Sequence, residues 1–159
     1  MKKFRGKKRY FNNIWKQVNS VQLDLNNESW FDFYHIHLDW YGVGNESVKI
    51  RREHIKAYLA LYERLLNQLK ECEGPYQTWI SLDGEDSGQD AVFVHTPNPN
   101  DDNFPHKIDK LNWSCDIPIT FSDLIDKEKF NIGHYDSSFG DGHCYVIQSK
   151  SQDKNYKSL

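Results

Sequence analysis

Ser47-Val-Lys-Ile-Arg-Arg-Glu-His-Ile-Lys-Ala-Tyr-Leu-Ala-Leu-Tyr-Glu-Arg-Leu-Leu-Asn-Gln-Leu-Lys-Glu-Cys72 carries a helical apolar period over many turns. Ile55, Leu59, Tyr62, Leu66 and Leu69 fall on one stripe, widened by Tyr58 and Leu65. That spacing predicts a helix over residues 47–72 with a single apolar face. Ser47 suits the N-cap, and Gly74-Pro75 gives a clean stop. Leu59 and Leu66 are expected in the core, where truncation of Leu59 to Ala would cost about 2–5 kcal/mol.

Working outward, the segments on either side read mostly as strands. Residues 30–41, Trp-Phe-Asp-Phe-Tyr-His-Ile-His-Leu-Asp-Trp-Tyr, are dense in aromatics and end at Gly42-Val-Gly-Asn45. Residues 76–82 and 90–96 read as two strands joined by Asp83-Gly-Glu-Asp-Ser-Gly-Gln89, a hairpin with a long polar loop. Residues 130–135 and 143–149 read as a last hairpin around 136–142. Phe11, Ile14, Trp15 and Val18 mark a short amphipathic helix over 10–19, and 118–129 suits a short helix capped by Thr120 or Ser122. The expected fold is α+β: an antiparallel sheet of about four or five strands packed on one long helix.

A chain of 159 residues is the size of one domain and can bury a core without disulfides or metal. We expect a single domain over 1–159, with a basic tail at 1–9 and a flexible end at 150–159. No run of 18 apolar residues exists, so no membrane span is expected. The charged N-terminus is not followed by the apolar stretch of a secretory signal. Cys72, Cys115 and Cys144 are odd in number and widely spaced, which fits reduced thiols in a cytoplasmic protein.

Charge is unevenly distributed. Net charge is −3, yet residues 2–9 hold six positive charges and no acid, leaving −9 on the rest. Between Lys70 and Lys107 there is no Lys or Arg, while Glu71, Glu73, Asp83, Glu85, Asp86, Asp90, Asp101 and Asp102 fall in that interval. Such a block repels nucleic acid and attracts basic partners. The basic tail could touch phosphate, but a solvated tail is the simpler reading.

Two constellations could carry chemistry. Side chains alternate along a strand, so His35, His37 and Asp39 fall in a row on one face, a set able to hold zinc or another transition metal. His95 would join them if its strand were a neighbour. The simpler alternative is a row of polar residues satisfied by hydrogen bonds on a sheet face. The string His-x-His-x-Asp resembles the opening of the metallo-β-lactamase hydrolase motif, but Trp40 stands where that family has a further His. The loop from Asp83 resembles a calcium loop in Asp83, Glu85, Ser87 and Gly88, but Val94 stands where the bidentate Glu belongs. Nucleophile-elbow, P-loop, dinucleotide and zincin motifs are missing. His143 and Cys144 are adjacent, so on a strand they face opposite ways and make no ready pair.

The stretches Tyr34-His-Ile-His-Leu-Asp-Trp-Tyr-Gly-Val-Gly-Asn45, Arg51-Arg-Glu-His54 and Gln89-Asp-Ala-Val-Phe-Val-His-Thr-Pro-Asn-Pro-Asn100 resemble small uncharacterised bacterial proteins. As a class, small acidic α+β chains without enzyme signatures resemble immunity proteins of polymorphic-toxin systems. The resemblance implies a binding protein that neutralises a cognate toxin, such as a basic nuclease domain, with no cofactor. Asp83, Glu85, Asp86 and Asp90 are the expected contact residues, since an acidic face steers a basic partner. The alternative expectation is a metal-dependent hydrolase or nuclease using His35, His37, Asp39 and His95.

Overall fold

The long helix, α2, runs Val48–Leu69 and packs on the sheet and on a second helix, α1, Lys7–Ser20. The computed structural model describes residues 6–24, 31–34, 48–71, 75–83, 90–96, 117, 119–136 and 143–152. Facing two partners, α2 buries more than one stripe. Ile55, Ala57, Tyr58, Leu61, Tyr62, Leu65, Leu66 and Leu69 are buried. Leu59, expected in the core, is instead half-buried at its margin, and Leu61 is buried in its stead.

Among the described residues the helical layer therefore holds two helices rather than one. α1 begins inside the expected basic tail, because Lys7, Lys8 and Arg9 are helical. Gly6 starts it with φ 85°, a left-handed conformation that suits glycine, and the Gly6 carbonyl accepts the Tyr10 N–H at 2.9 Å. Phe11, Ile14 and Val18 are the buried face of α1. The chain leaving α1 is strapped to α2: Arg64 Nε and Gln68 Nε2 donate to the Val21 carbonyl at 2.8 and 3.0 Å, and Leu23 N–H donates to Gln68 Oε1 at 2.7 Å.

The strands are β1 Phe31–Tyr34, β2 Gln77–Asp83, β3 Ala91–His95, β4 Phe130–Asp136 and β5 His143–Ser149. They form one antiparallel sheet in the order β1-β3-β2-β5-β4, with the four-residue β1 as a short extension at one edge. β2 and β3 pair as the expected hairpin, Gln77 opposite His95 and Ser81 opposite Ala91. β4 and β5 pair as the other, Ile132 opposite Ile147. The fold is thus α+β with an antiparallel sheet, as expected from the sequence.

Alternation gives the sheet two different faces. Ile80, Leu82, Val92, Val94, Ile132 and Ile147 belong to the core cluster shared with the helices. On the other parity stand Gln77, Trp79, Ala91, His95, Val146 and Gln148, all buried too. There Trp79 stacks on its cross-strand partner Phe93, ring centroids 5.2 Å apart and nearly parallel at 7°. A central strand buried on both faces is consistent with the continuous apolar run Trp79-Ile80 and Ala91-Val-Phe-Val94.

Two further expectations change. Residues 119–129 make turns and a 3₁₀ turn at Ser122–Leu124, without a side-chain cap from Thr120 or Ser122. Asp126 stops any helix there: its carboxylate accepts the Glu128 N–H at 2.9 Å and its carbonyl the Phe130 N–H at 3.0 Å, turning the chain into β4. The C-terminal segment does not fray at once. Lys150–Gln152 forms a 3₁₀ turn, and Gln152 is 1% exposed.

Candidate functional site

The acidic hairpin end is built from the start of β3 backwards. Asp90 precedes Ala91, and its carboxylate receives both terminal nitrogens of Arg51 from the first turns of α2, one at 3.1 Å and the other closer. Tyr58 Oη, two turns along the same helix, donates to the Asp90 carbonyl at 3.0 Å. A bidentate guanidinium–carboxylate pair fixes geometry as well as charge. The Asp90 side chain is only 9% exposed and the Arg51 side chain 24%. Of the four expected contact acids, Asp90 is therefore committed to the fold. It closes the hairpin onto α2 and is not open to a partner.

Asp83 ends β2, in register with Cys144 of β5. Its side chain, together with Glu85 and Asp86, lies outside the described residues. The base from which these acids spring is nevertheless defined. β2 is the middle strand of the sheet, hydrogen-bonded to β3 on one side and β5 on the other.

The neighbouring arginine turns elsewhere. Successive helical residues point about 100° apart, and Arg52 reaches the turn after residue 117 rather than the hairpin. Its terminal nitrogens donate to Asp123 at 2.6 and 2.8 Å, and one of them also to the Thr120 carbonyl at 2.9 Å. Hydrogen bonds from Arg52, more than its charge, hold the Asp123 carboxyl below the usual carboxylate range, and the same bonds raise Arg52.

Of the alternative metal set, only His95 is described; His35, His37 and Asp39 lie outside the described residues. His95 is 1% exposed, at the end of β3, with Phe31 and Gln77 as its cross-strand neighbours. β1 runs antiparallel to β3, so Phe31 lies beside His95 while Tyr34 lies beside Val92. The chain has thus travelled about 10 Å away from His95 by the time it reaches Tyr34. Among the described residues no group of three or more His, Cys, Asp or Glu side chains is placed to hold a metal. No helix among them is long and apolar enough to cross a membrane.

Sequence reasoning missed the two arginine clamps and a buried histidine. His54 is 1% exposed and shares a 2.9 Å hydrogen bond through Nε2 with Tyr10 Oη of α1, against Phe11 at 5.6 Å between ring centroids. The signal was present in Arg51-Arg-Glu-His54: basic residues crowd the start of a helix whose first turn has no acid. Against the positive helix end, such charges need carboxylates from elsewhere. No protein family, curated protein or solved structure matches this chain.

Proposed function

We propose that this chain is a binding protein, an immunity protein that neutralises a basic toxin domain through the acidic end of the β2–β3 hairpin. The observation that carries the reading is the clamp at Asp90. Arg51 and Tyr58 tie the base of the hairpin to the long helix, so the loop acids spring from a fixed frame. Anchoring the strand end beforehand lowers the entropy cost of binding there. Asp83, Glu85 and Asp86 are the contact acids of this reading, and Asp90 frames them. The charge map supports it, with eight acids and no Lys or Arg between Lys70 and Lys107. Cytoplasmic residence goes with the same reading.

The test pairs the purified chain with the product of the adjacent gene. A one-to-one complex that abolishes the partner's toxicity is the expected result; no association at low salt would sink the proposal. A metal-dependent hydrolase or nuclease would instead require stoichiometric zinc or manganese in the purified protein, bound by His35, His37, Asp39 and His95. The β1 register gives that reading no support, because β1 leads away from His95.

A further inference from the structure

A cleft of about 510 Å³ opens between the first turns of α1 and α2, lined by Lys7, Lys8, Phe11, Lys49, Arg52 and Glu53. Its lining is unbalanced. Among the described residues Glu53 is the single carboxylate lining it, and it is paired with Lys56 at 2.8 Å. Arg52 is held from behind by Asp123. Lys7, Lys8 and Lys49 are exposed, and among the described residues no ion pair or hydrogen bond engages their side chains. Three lysines from two separate chain segments thus line one open cleft. Like charges so gathered repel one another. Neither helix offers an acid in its first turn to relieve them.

We propose that this cleft binds a small phosphate-bearing anion, with Lys7, Lys8 and Lys49 supplying the charge, while Arg52, whose charge Asp123 already compensates, forms part of the wall. Charge-assisted bonds from lysine and arginine are the usual partners of phosphate oxygens. The size argues for a compact ligand. A long polyanion would extend beyond the two helix ends and meet a chain that carries −9 outside residues 2–9. The site is separate from the acidic hairpin: it takes an anion where the hairpin takes a basic protein, and either can fail alone.

The experiment titrates the full chain with inorganic phosphate and with pyrophosphate at fixed ionic strength, reading backbone amide resonances and heat. Saturable shifts confined to the starts of α1 and α2 are expected. Lys8→Gln with Lys49→Gln should weaken binding by at least about tenfold. The same pair should leave the thermal midpoint of the free protein unchanged or higher, since it removes repulsion rather than support. Shifts that never saturate, or that the double variant leaves intact, would overturn the site. Tighter binding to duplex DNA that grows with its length would also overturn it, by making this face a nucleic-acid surface.

Discussion

Thr78 lies in the middle strand, but β2 and β5 pair only from Ile80 to Asp83. Its buried backbone N–H and carbonyl are met by a side chain instead. Gln152 Oε1 accepts the Thr78 N–H at 2.9 Å and Gln152 Nε2 donates to the Thr78 carbonyl at 2.8 Å, while Nε2 also donates to Tyr62 Oη. The primary amide acts here as one more rung of the ladder, and Tyr62 Oη in turn accepts the Ser149 N–H at 2.8 Å. Gln152→Ala would strand the buried Thr78 N–H, while the Thr78 carbonyl keeps a longer bond from Gln148 Nε2 at 3.4 Å, and we expect a loss of about 1–3 kcal/mol in denaturant unfolding. A loss within error would mean that water replaces the amide at no cost. Core leucines give a second residue-scale test. Leu61→Ala should cost about 2–5 kcal/mol, and Leu59→Ala, at the margin, about 1 kcal/mol. Equal losses would contradict the packing. Gln152 was illegible in the sequence because a polar residue near a chain end gives no sign of burial; Leu59 was misplaced because the stripe was drawn for one partner surface, not two.

The helix α2 links three elements through its first turns, with Arg51 on the hairpin, Arg52 on the 3₁₀ turn and His54 on α1. The Arg51–Asp90 pair is partly buried, so truncating one partner leaves the other charged in poor solvent. Arg51→Ala should cost about 1–3 kcal/mol, less than a fully buried pair because Arg51 keeps some contact with water. Its effect should appear as faster amide exchange at the start of β3; uniform exchange would argue that Asp90 is held by something else. The Arg52–Asp123 pair is exposed and contributes little to stability, but it leaves a titration signature. A depressed carboxyl contributes stability above the ordinary carboxylate range and loses it as pH falls through its lowered value. The Asp123 carboxyl should therefore titrate below other exposed aspartates in an NMR pH series and return to their range in Arg52→Ala. Element type was readable here because α2 keeps its 3.6 period over many turns, while β2, β3 and β5 are short runs rich in β-branched and aromatic residues. The pairing of β1 with β3 was not, since register depends on contacts that a single sequence does not show.

At the scale of the molecule, charge separates into a basic start and an acidic middle, and that separation was legible from the sequence alone. What the sequence could not tell is which acids are internal. Asp90 looks like its neighbours Asp83, Glu85 and Asp86 in the sequence, yet Arg51 already neutralises it. The distinction sets the last prediction. If the hairpin end steers a basic toxin domain, its rate of association depends on the acids that still project a field. Reversing Asp83 and Asp86 to Lys replaces two negative charges by two positive ones while leaving the Arg51 clamp in place. Association with the adjacent gene's product should slow by about tenfold or more at low salt and lose most of its salt dependence, with the folded state retained. Asp90→Asn should act in the opposite pattern, lowering stability with little change in association rate, because its charge is already compensated. Stopped-flow mixing at two ionic strengths separates the two. Unchanged rates in the double reversal would remove the docking surface from the hairpin, and a slower rate in Asp90→Asn at equal stability would return Asp90 to the contact set.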